Sequence, residues 1–410
     1  MRSRCWTLLC IWTAAFSIAS SPAAGEGNSR ESGQEEDWAA NIPAYKDKYN
    51  DGLYSTIVTM LSIGAPEIKE QKKVKLEVPG WKKKFEARAI LQEKPAPLVV
   101  VLVGVDGKAD TPMGRLLPYW LNHYLHYHVL SFDSTFRPNF EDCSRHGVSG
   151  NIPADAQAIA QVIDTFLKSK DVQGKVNRIG VAGYSLGALQ TVALAQMAAQ
   201  KKLPFELSGA VAFSPPVRLK STALILDDMY NRDRWKYTMV DMGKVFMTHE
   251  PVEAGEKIPF ENDFMRAGIG FIIREEFTEI VDKNDAIFRL NKLPDEQKDP
   301  TANRIEHARA WGFQKFVEAM SFPYWKEKGG YPDVDSFWQA NDLLKLMEGA
   351  PSYLRVIVAE DDPFNAAEDV AELKAKGDAK RLVLIPHGGH MGYIGSAFTF
   401  GHLVQMFRFE

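Results

Sequence analysis

Residues Arg178 to Gln196 read Arg-Ile-Gly-Val-Ala-Gly-Tyr-Ser-Leu-Gly-Ala-Leu-Gln-Thr-Val-Ala-Leu-Ala-Gln. The run Arg178 to Ala182 has the apolar, β-branched character of a buried strand, and Leu186 to Ala199 is rich in the helix formers Leu, Ala and Gln. Between them stands Gly183-Tyr184-Ser185-Leu186-Gly187. A residue at so sharp a strand-to-helix turn is held in strained backbone. Its neighbours two before and two after must be small, because the turn presses them against adjacent backbone. Gly183 and Gly187 satisfy that demand. The helix that follows points free N–H groups back at the serine, where they favour developing negative charge. A Gly-Ser turn that matched by chance would lack this strand and this helix, so Ser185 is the candidate nucleophile.

Working outward, the same alternation recurs. Leu98 to Val103 is a continuous Val-rich run, as a strand buried on both faces requires. Strands are also read at His128–Phe132 and Leu207–Phe213. Helical spacing appears at Met113–His123 and Ile152–Leu167, and a short helix is read within Tyr49–Ile63. Lys73–Val78 and Lys84–Leu91 read as a hairpin whose lysines alternate along a solvated edge face. Strand patterns then stop. Residues 219–350 carry helical patterns, many aromatics and polar turns, and the alternation resumes at Tyr353–Val358, at Arg381–Ile385 and in a last helix over 396–407. Strands alternating with helices imply an α/β fold: a mostly parallel central sheet flanked by helices. The block 219–350, after the sixth strand, is read as a helical cap inserted over the strand ends, with core at 46–218 and 351–410.

A serine hydroxyl needs a base to take its proton. The loop after the last strand, Pro386-His-Gly-Gly-His-Met-Gly392, offers His390 and, as competitor, His387; the glycines around His390 let its ring reach across the sheet edge. A carboxylate must then accept the other ring N–H and fix the tautomer. Val356-Ile-Val-Ala-Glu-Asp-Asp-Pro363 ends a strand in three acids. Counting three on from the small Ala359 selects Asp362, with Asp361 as the alternative and an acidic helix cap as the bland reading. An oxyanion would need backbone donors, read here as the N–H of Leu186 and that of Val105 in the loop after Leu98–Val103.

With these residues the chain resembles the α/β-hydrolase superfamily, in particular bacterial esterase-like and lipase-like serine hydrolases with an Asp-Asp-Pro acid turn and a Gly-Gly-His base loop. The resemblance covers roughly 90–218 and 351–407. It implies an α/β-hydrolase fold, a Ser-Asp-His order along the chain, and hydrolysis of a carboxylic ester or related acyl bond through an acyl-enzyme. A peptidase, an acyltransferase or an inactive binding member would share the same frame. One departure is the pair Val103-Gly104, where many relatives carry His-Gly; the backbone donor survives it.

Composition agrees with a globular protein: 410 residues, 45% hydrophobic and 25% charged. The net charge of −4 offers no basic excess for nucleic acid. Arg2 and Arg4, then an apolar run from Cys5 to Ala19 and small residues, read as a signal peptide ending near Ala23; residues 24–45 read as a flexible leader. Uncleaved, that run would be an N-terminal anchor. Cleaved, it leaves an exported protein, periplasmic or secreted, with no membrane span and with Cys143 as its one cysteine. The chemistry read here needs no cofactor and no metal. His123-Tyr-Leu-His-Tyr-His128 has histidine density but lacks the following Asp and His of a metallo-hydrolase. Cys143 with His146 lacks a strand–turn–helix setting. The cap's aromatics, Phe260, Phe264, Phe271, Phe277, Trp311, Phe313, Phe316, Phe322, Tyr324, Trp325, Phe337 and Trp338, are read mostly as its core and partly as the lining of a pocket for a small-molecule or lipid-like acyl substrate. Gly268-Ile-Gly270 and Gly329-Gly330 are read as lid hinges or ordinary turns.

Overall fold

The computed structural model describes residues 42–231, 258, 260–295 and 303–408. The signal-peptide reading and nearly all of the leader lie outside the described residues. One eight-stranded sheet organises the molecule: β1 (Lys72–Leu76), β2 (Phe85–Ile90), β3 (Ala96–Leu102), β4 (His128–Phe132), β5 (Val176–Tyr184), β6 (Gly209–Phe213), β7 (Leu354–Ala359) and β8 (Leu382–Ile385). Their order is β1-β2-β4-β3-β5-β6-β7-β8. The β1–β2 hairpin and its junction with β4 are antiparallel; every pair from β4 to β8 is parallel. At the edge, Lys73 pairs with Glu86 at 3.0 Å, so the basic hairpin is a solvated strand face.

The strand runs sort themselves by the two-residue period of a pleated strand. Leu98, Val100 and Leu102 belong to one core cluster, together with Val181, Ala210, Ala212, Val356 and Val358. Their alternates Val99, Val101 and Val103 face the other side with Ala182, Val211, Phe213, Ile357 and Ala359. Helices α4 (Ile152–Leu167) and α5 (Leu186–Ala199) cover the first face; α2 (Pro112–His123) and the last helix, Ala397–Phe407, cover the second. Residues Leu186 to Ala195 of α5 are all buried, so the slot takes a mostly apolar helix whose two buried polar side chains are bonded, Gln190 to Thr135 at 2.6 Å and Thr191 to the Gly187 carbonyl at 2.9 Å. Helix starts follow their capping residues: Thr111 accepts the Gly114 N–H and Asn151 the Ala154 N–H, each just before an early proline.

One helix had no pattern signal, and another, expected within Tyr49–Ile63, packs where pattern alone does not place it. A short helix α3 (Pro138–Ser144) follows β4, and α1 (Gly52–Ser62) lies not in the sheet layers but against the segment between β6 and β7. The regular structure of that segment, among its described residues, is all helical: α6 (Leu219–Asn231), α7 (Asn262–Phe288), α8 (Arg304–Arg309), α9 (Phe313–Phe316), a π-helical turn (Val317–Ser321), α10 (Phe322–Glu327), α11 (Val334–Ala340) and α12 (Leu343–Met347). After β7 comes α13 (Ala367–Lys376), and the helix at Ala397–Phe407 is α14. Gly268 and Gly270 are neither hinge nor turn but lie inside α7, where a methyl at Gly270 would sit 2.5 Å from the Met229 backbone; the small residue lets α6 and α7 pack closely. Gly329 has φ +76 just past the end of α10, an ordinary helix stop. Ile42 and Tyr45 pack on α14 and the loop before it, with the Tyr45 ring 5.9 Å from that of Tyr393.

Position 402 in α14 makes the core sensitive to acid. Its imidazole is buried against Phe398, its Nδ1 has no hydrogen-bond partner, and burial, then the Arg355 charge, pushes its pKa down to about 4. The unfolded chain takes up that proton near pH 6.5, the folded chain only near pH 4, so stability falls as pH drops through this window. His402→Leu is expected to lose roughly 2 kcal/mol less than the parent between pH 7 and pH 4.5. Urea unfolding at the two pH values measures this; equal losses would refute it.

Candidate active site

The order β4-β3-β5 means that the chain leaves β3 to one side and returns on the other. The carboxyl ends of β3 and β5 thus form the switch point where open α/β sheets bind ligands. Ser185 stands there as the single residue between β5 and α5, at φ +56 and ψ −123. A non-glycine residue in that region carries about 1–3 kcal/mol of strain. The turn is held by the Ser185 N–H, which donates to Phe213 of β6 at 2.9 Å. The two glycines are needed for the expected reason: a methyl at Gly183 would lie 2.2 Å from the Gly187 carbonyl oxygen, and one at Gly187 would lie 2.4 Å from that of Leu102.

The other two candidate side chains come from the ends of β7 and β8. His390 Nε2 lies 3.0 Å from Ser185 Oγ, and its Nδ1 lies 2.8 Å from Asp362 Oδ2. Both partners are nearly enclosed, His390 at 2% and Asp362 at 3% exposure. The remaining carboxylate oxygen, Oδ1, accepts the Phe364 N–H at 2.9 Å, and the Phe364 ring lies 4.2 Å from the imidazole. With Asp362 accepting from Nδ1–H, the lone pair of Nε2 is left to receive the serine proton.

The competing residues pair with each other instead. Asp361 Oδ2 is 3.2 Å from His387 Nδ1, and Asp361 Oδ1 accepts the Gly389 N–H at 2.8 Å. Burial raises the Asp361 carboxyl pKa above its ordinary value. Neighbouring acids in one turn thus point to different histidines of one loop, with only Asp362 and His390 joined to Ser185. The two other histidine-based readings also dissolve into ordinary structure. His128 is buried, with Nδ1 accepting the Gln92 N–H at 3.0 Å and Nε2 3.2 Å from the Lys175 carbonyl oxygen. His146 lies 2.9 Å from Asp155 and 2.8 Å from Ser144, not on Cys143, which is buried.

A cavity of about 320 Å3 opens above Ser185 and His390. Val105 and Leu186, the residues expected to supply backbone donors, both line it. Its walls are mainly apolar. The insertion between β6 and β7 supplies Ile273, Phe277, Phe313, Phe316 and Trp338. Phe277 and Phe313 stack at 3.8 Å, so the same aromatics build the helical layer and face the cavity. Phe322, Phe337 and Tyr331 pack among themselves elsewhere. Two carboxylates interrupt the apolar wall. Glu276 accepts from Arg137 at 2.9 Å, and Asp106 has its pKa raised by burial first and by Glu276 second.

Some contacts to the site had no sequence signal. Ser214, at φ +47, accepts the Met391 N–H at 3.0 Å, and the buried Tyr393 hydroxyl, 2.8 Å from Ser214 Oγ, donates to the Ile357 carbonyl. Thr56 of α1 accepts the His390 N–H at 2.8 Å. Thr56 and Ser214 lie far from His390 in the chain, and no spacing rule links either of them, or the Tyr393 hydroxyl three residues on, to the base.

A serine in a strained turn at the switch point, with a histidine and a carboxylate delivered from the last two strands, defines an α/β-hydrolase architecture. The family model described as the Alpha/beta hydrolase family matches residues 100–397, and the chain belongs to that family. Solved structures similar to this chain include an esterase of Pyrococcus furiosus, 16% identical, covering 84% of this chain and 95% of that one with a TM-score of 0.43. An esterase of Pyrobaculum calidifontis is 15% identical, covering 86% of this chain and 89% of its own, at a TM-score of 0.41. An α/β hydrolase from a Penicillium species is 12% identical, covering 83% and 99%, at 0.44. No curated protein sequence matches the chain.

Proposed function

We propose that the protein is a serine hydrolase that cleaves carboxylic esters through an acyl-enzyme. The observation that carries this reading is the continuous relay from Ser185 Oγ to His390 Nε2 at 3.0 Å and from His390 Nδ1 to Asp362 at 2.8 Å. Ser185 Oγ attacks the ester carbonyl carbon while its proton passes to His390 Nε2. The oxyanion collects the N–H groups of Leu186 and Val105; one such donor is worth ~3 kcal/mol in the transition state. Collapse breaks the C–O bond, and the leaving alkoxide takes the proton from His390. Water, deprotonated by His390, then attacks the acyl-enzyme and releases the acid, returning the proton to Ser185. Asp362 stays ionised and stabilises the imidazolium.

The lining favours an apolar acyl group, since Phe277, Phe313, Phe316 and Trp338 surround the space above the serine. On the leader sequence alone, we place the enzyme among exported proteins. No helix among the described residues is long and apolar enough to cross a membrane.

A fluorophosphonate tests the proposal directly. It is expected to label the folded protein once, on the peptide carrying Ser185, as mapped by mass spectrometry. A folded protein left unlabelled, or labelled only elsewhere, would overturn the proposal.

A further inference from the structure

We infer that the helix α1, ahead of the sheet and outside the residues the family model matches, is a working part of the active site, with Thr56 as the residue that positions His390. This inference rests on the serine-hydrolase reading above.

The base loop has an awkward backbone. Gly389 lies at φ +56 and Met391 at φ +67, so His390 sits between two left-handed residues. Its own N–H would have no partner in regular structure there. Thr56 Oγ1 accepts that N–H at 2.8 Å and donates its own proton to the Gly52 carbonyl at 2.6 Å. Thr56 is fully buried, so no water stands ready to replace the hydroxyl. One side chain thus serves as acceptor and donor at once, a task open to Ser or Thr but not to Val.

The start of α1 is wedged between the two loops that carry the acid and the base. A methyl at Gly389 would lie 2.1 Å from the Gly52 carbonyl oxygen, and a methyl at Gly52 would lie 2.2 Å from the Asp361 carbonyl oxygen. Asp51 caps the helix by accepting the Tyr54 N–H at 2.9 Å, which fixes where that wedge begins. Further along, Thr59 and Met60 reach the cavity wall. Leu53, Tyr54 and Ile57 share an apolar cluster with Leu226, Met229, Met265 and Ile269 of the insertion. The helix therefore ties the wall of the cavity to the base loop.

Moving an imidazole by about 1 Å can cost ~100-fold in rate. Thr56→Val keeps shape and removes the hydroxyl. With a short nitrophenyl ester, it is expected to lower kcat by about 10- to 100-fold while leaving KM within about 2-fold. Thr56→Ser is expected to recover most of that loss, and a downfield Nδ1–H proton resonance of His390 should shift or broaden in Thr56→Val and return in Thr56→Ser. Thr56→Ala, which leaves space rather than a methyl beside the amide, is the second variant should Thr56→Val fail to fold, and must show the same kcat loss. Parental kcat in a folded Thr56→Val or Thr56→Ala variant overturns the inference, as does failure of Thr56→Ser to outperform them. Parental protein that neither hydrolyses esters nor takes the fluorophosphonate overturns the hydrolase reading itself; an active parent with indifferent Thr56 variants overturns only the role of Thr56.

Discussion

Ser185→Ala is expected to lower kcat for a short nitrophenyl ester by about 10^6-fold, because removing Oγ deletes the nucleophile and leaves only binding and backbone donors to assist direct water attack. Alanine loses the hydrogen bond to His390 but keeps the backbone, and the tolerance of position 185 for φ +56 is set by Gly183 and Gly187 rather than by the serine side chain. Stability should therefore move by no more than about 1 kcal/mol. Steady-state hydrolysis and thermal unfolding of the same preparation check both halves. Activity within tenfold of the parent, with the fold intact, would remove Ser185 from the mechanism.

Asp362→Asn has the second-largest expected effect, about 10^4-fold in kcat near neutral pH. The amide NH2 would donate to His390 Nδ1, forcing that nitrogen to act as acceptor and placing the ring proton on Nε2. The nitrogen 3.0 Å from Ser185 Oγ would then have no lone pair to receive a proton. The control is Asp361→Asn. Its Oδ1 can still accept the Gly389 N–H, and its lost contact is with His387, which does not touch the serine. A loss of about tenfold or less is expected there. Kinetics on the pair decide the acid: a larger loss at 361 than at 362 would reverse the assignment.

Much of the fold was legible because its strands are buried on both faces. A strand with no polar face leaves an unbroken apolar run, and Leu98–Val103 shows one. The strand–Gly183–Ser185–Gly187–helix passage was equally legible, because a steric requirement at two positions leaves glycine as the residue that fits. Helix bounds such as Ile152–Leu167 and Leu186–Ala199 agree with the pattern, since periodicity and local capping are both short-range signals. The insertion between β6 and β7 was legible as a helical block set into the strand order, but which of its aromatics line the cavity was not. Its apolar residues form a cavity wall as well as a core, and composition does not separate the two. Gly268 and Gly270 show the limit, because close helix packing and a flexible hinge select the same residue.

By itself, the sequence determined the alternation of strand and helix, the sharp turn that holds Ser185, and the short set of acids and histidines eligible to serve it. These are consequences of sterics and periodicity within about 20 residues of chain. The tertiary structure alone decided which acid meets which histidine, that Asp361 closes on His387 while Asp362 reaches His390, and that Thr56 lies behind the base. Those pairings join residues that stand 26, 28 and 334 positions apart. No local rule spans such separations, because the direction of each side chain is set by packing against strands and helices that come together only when the sheet closes.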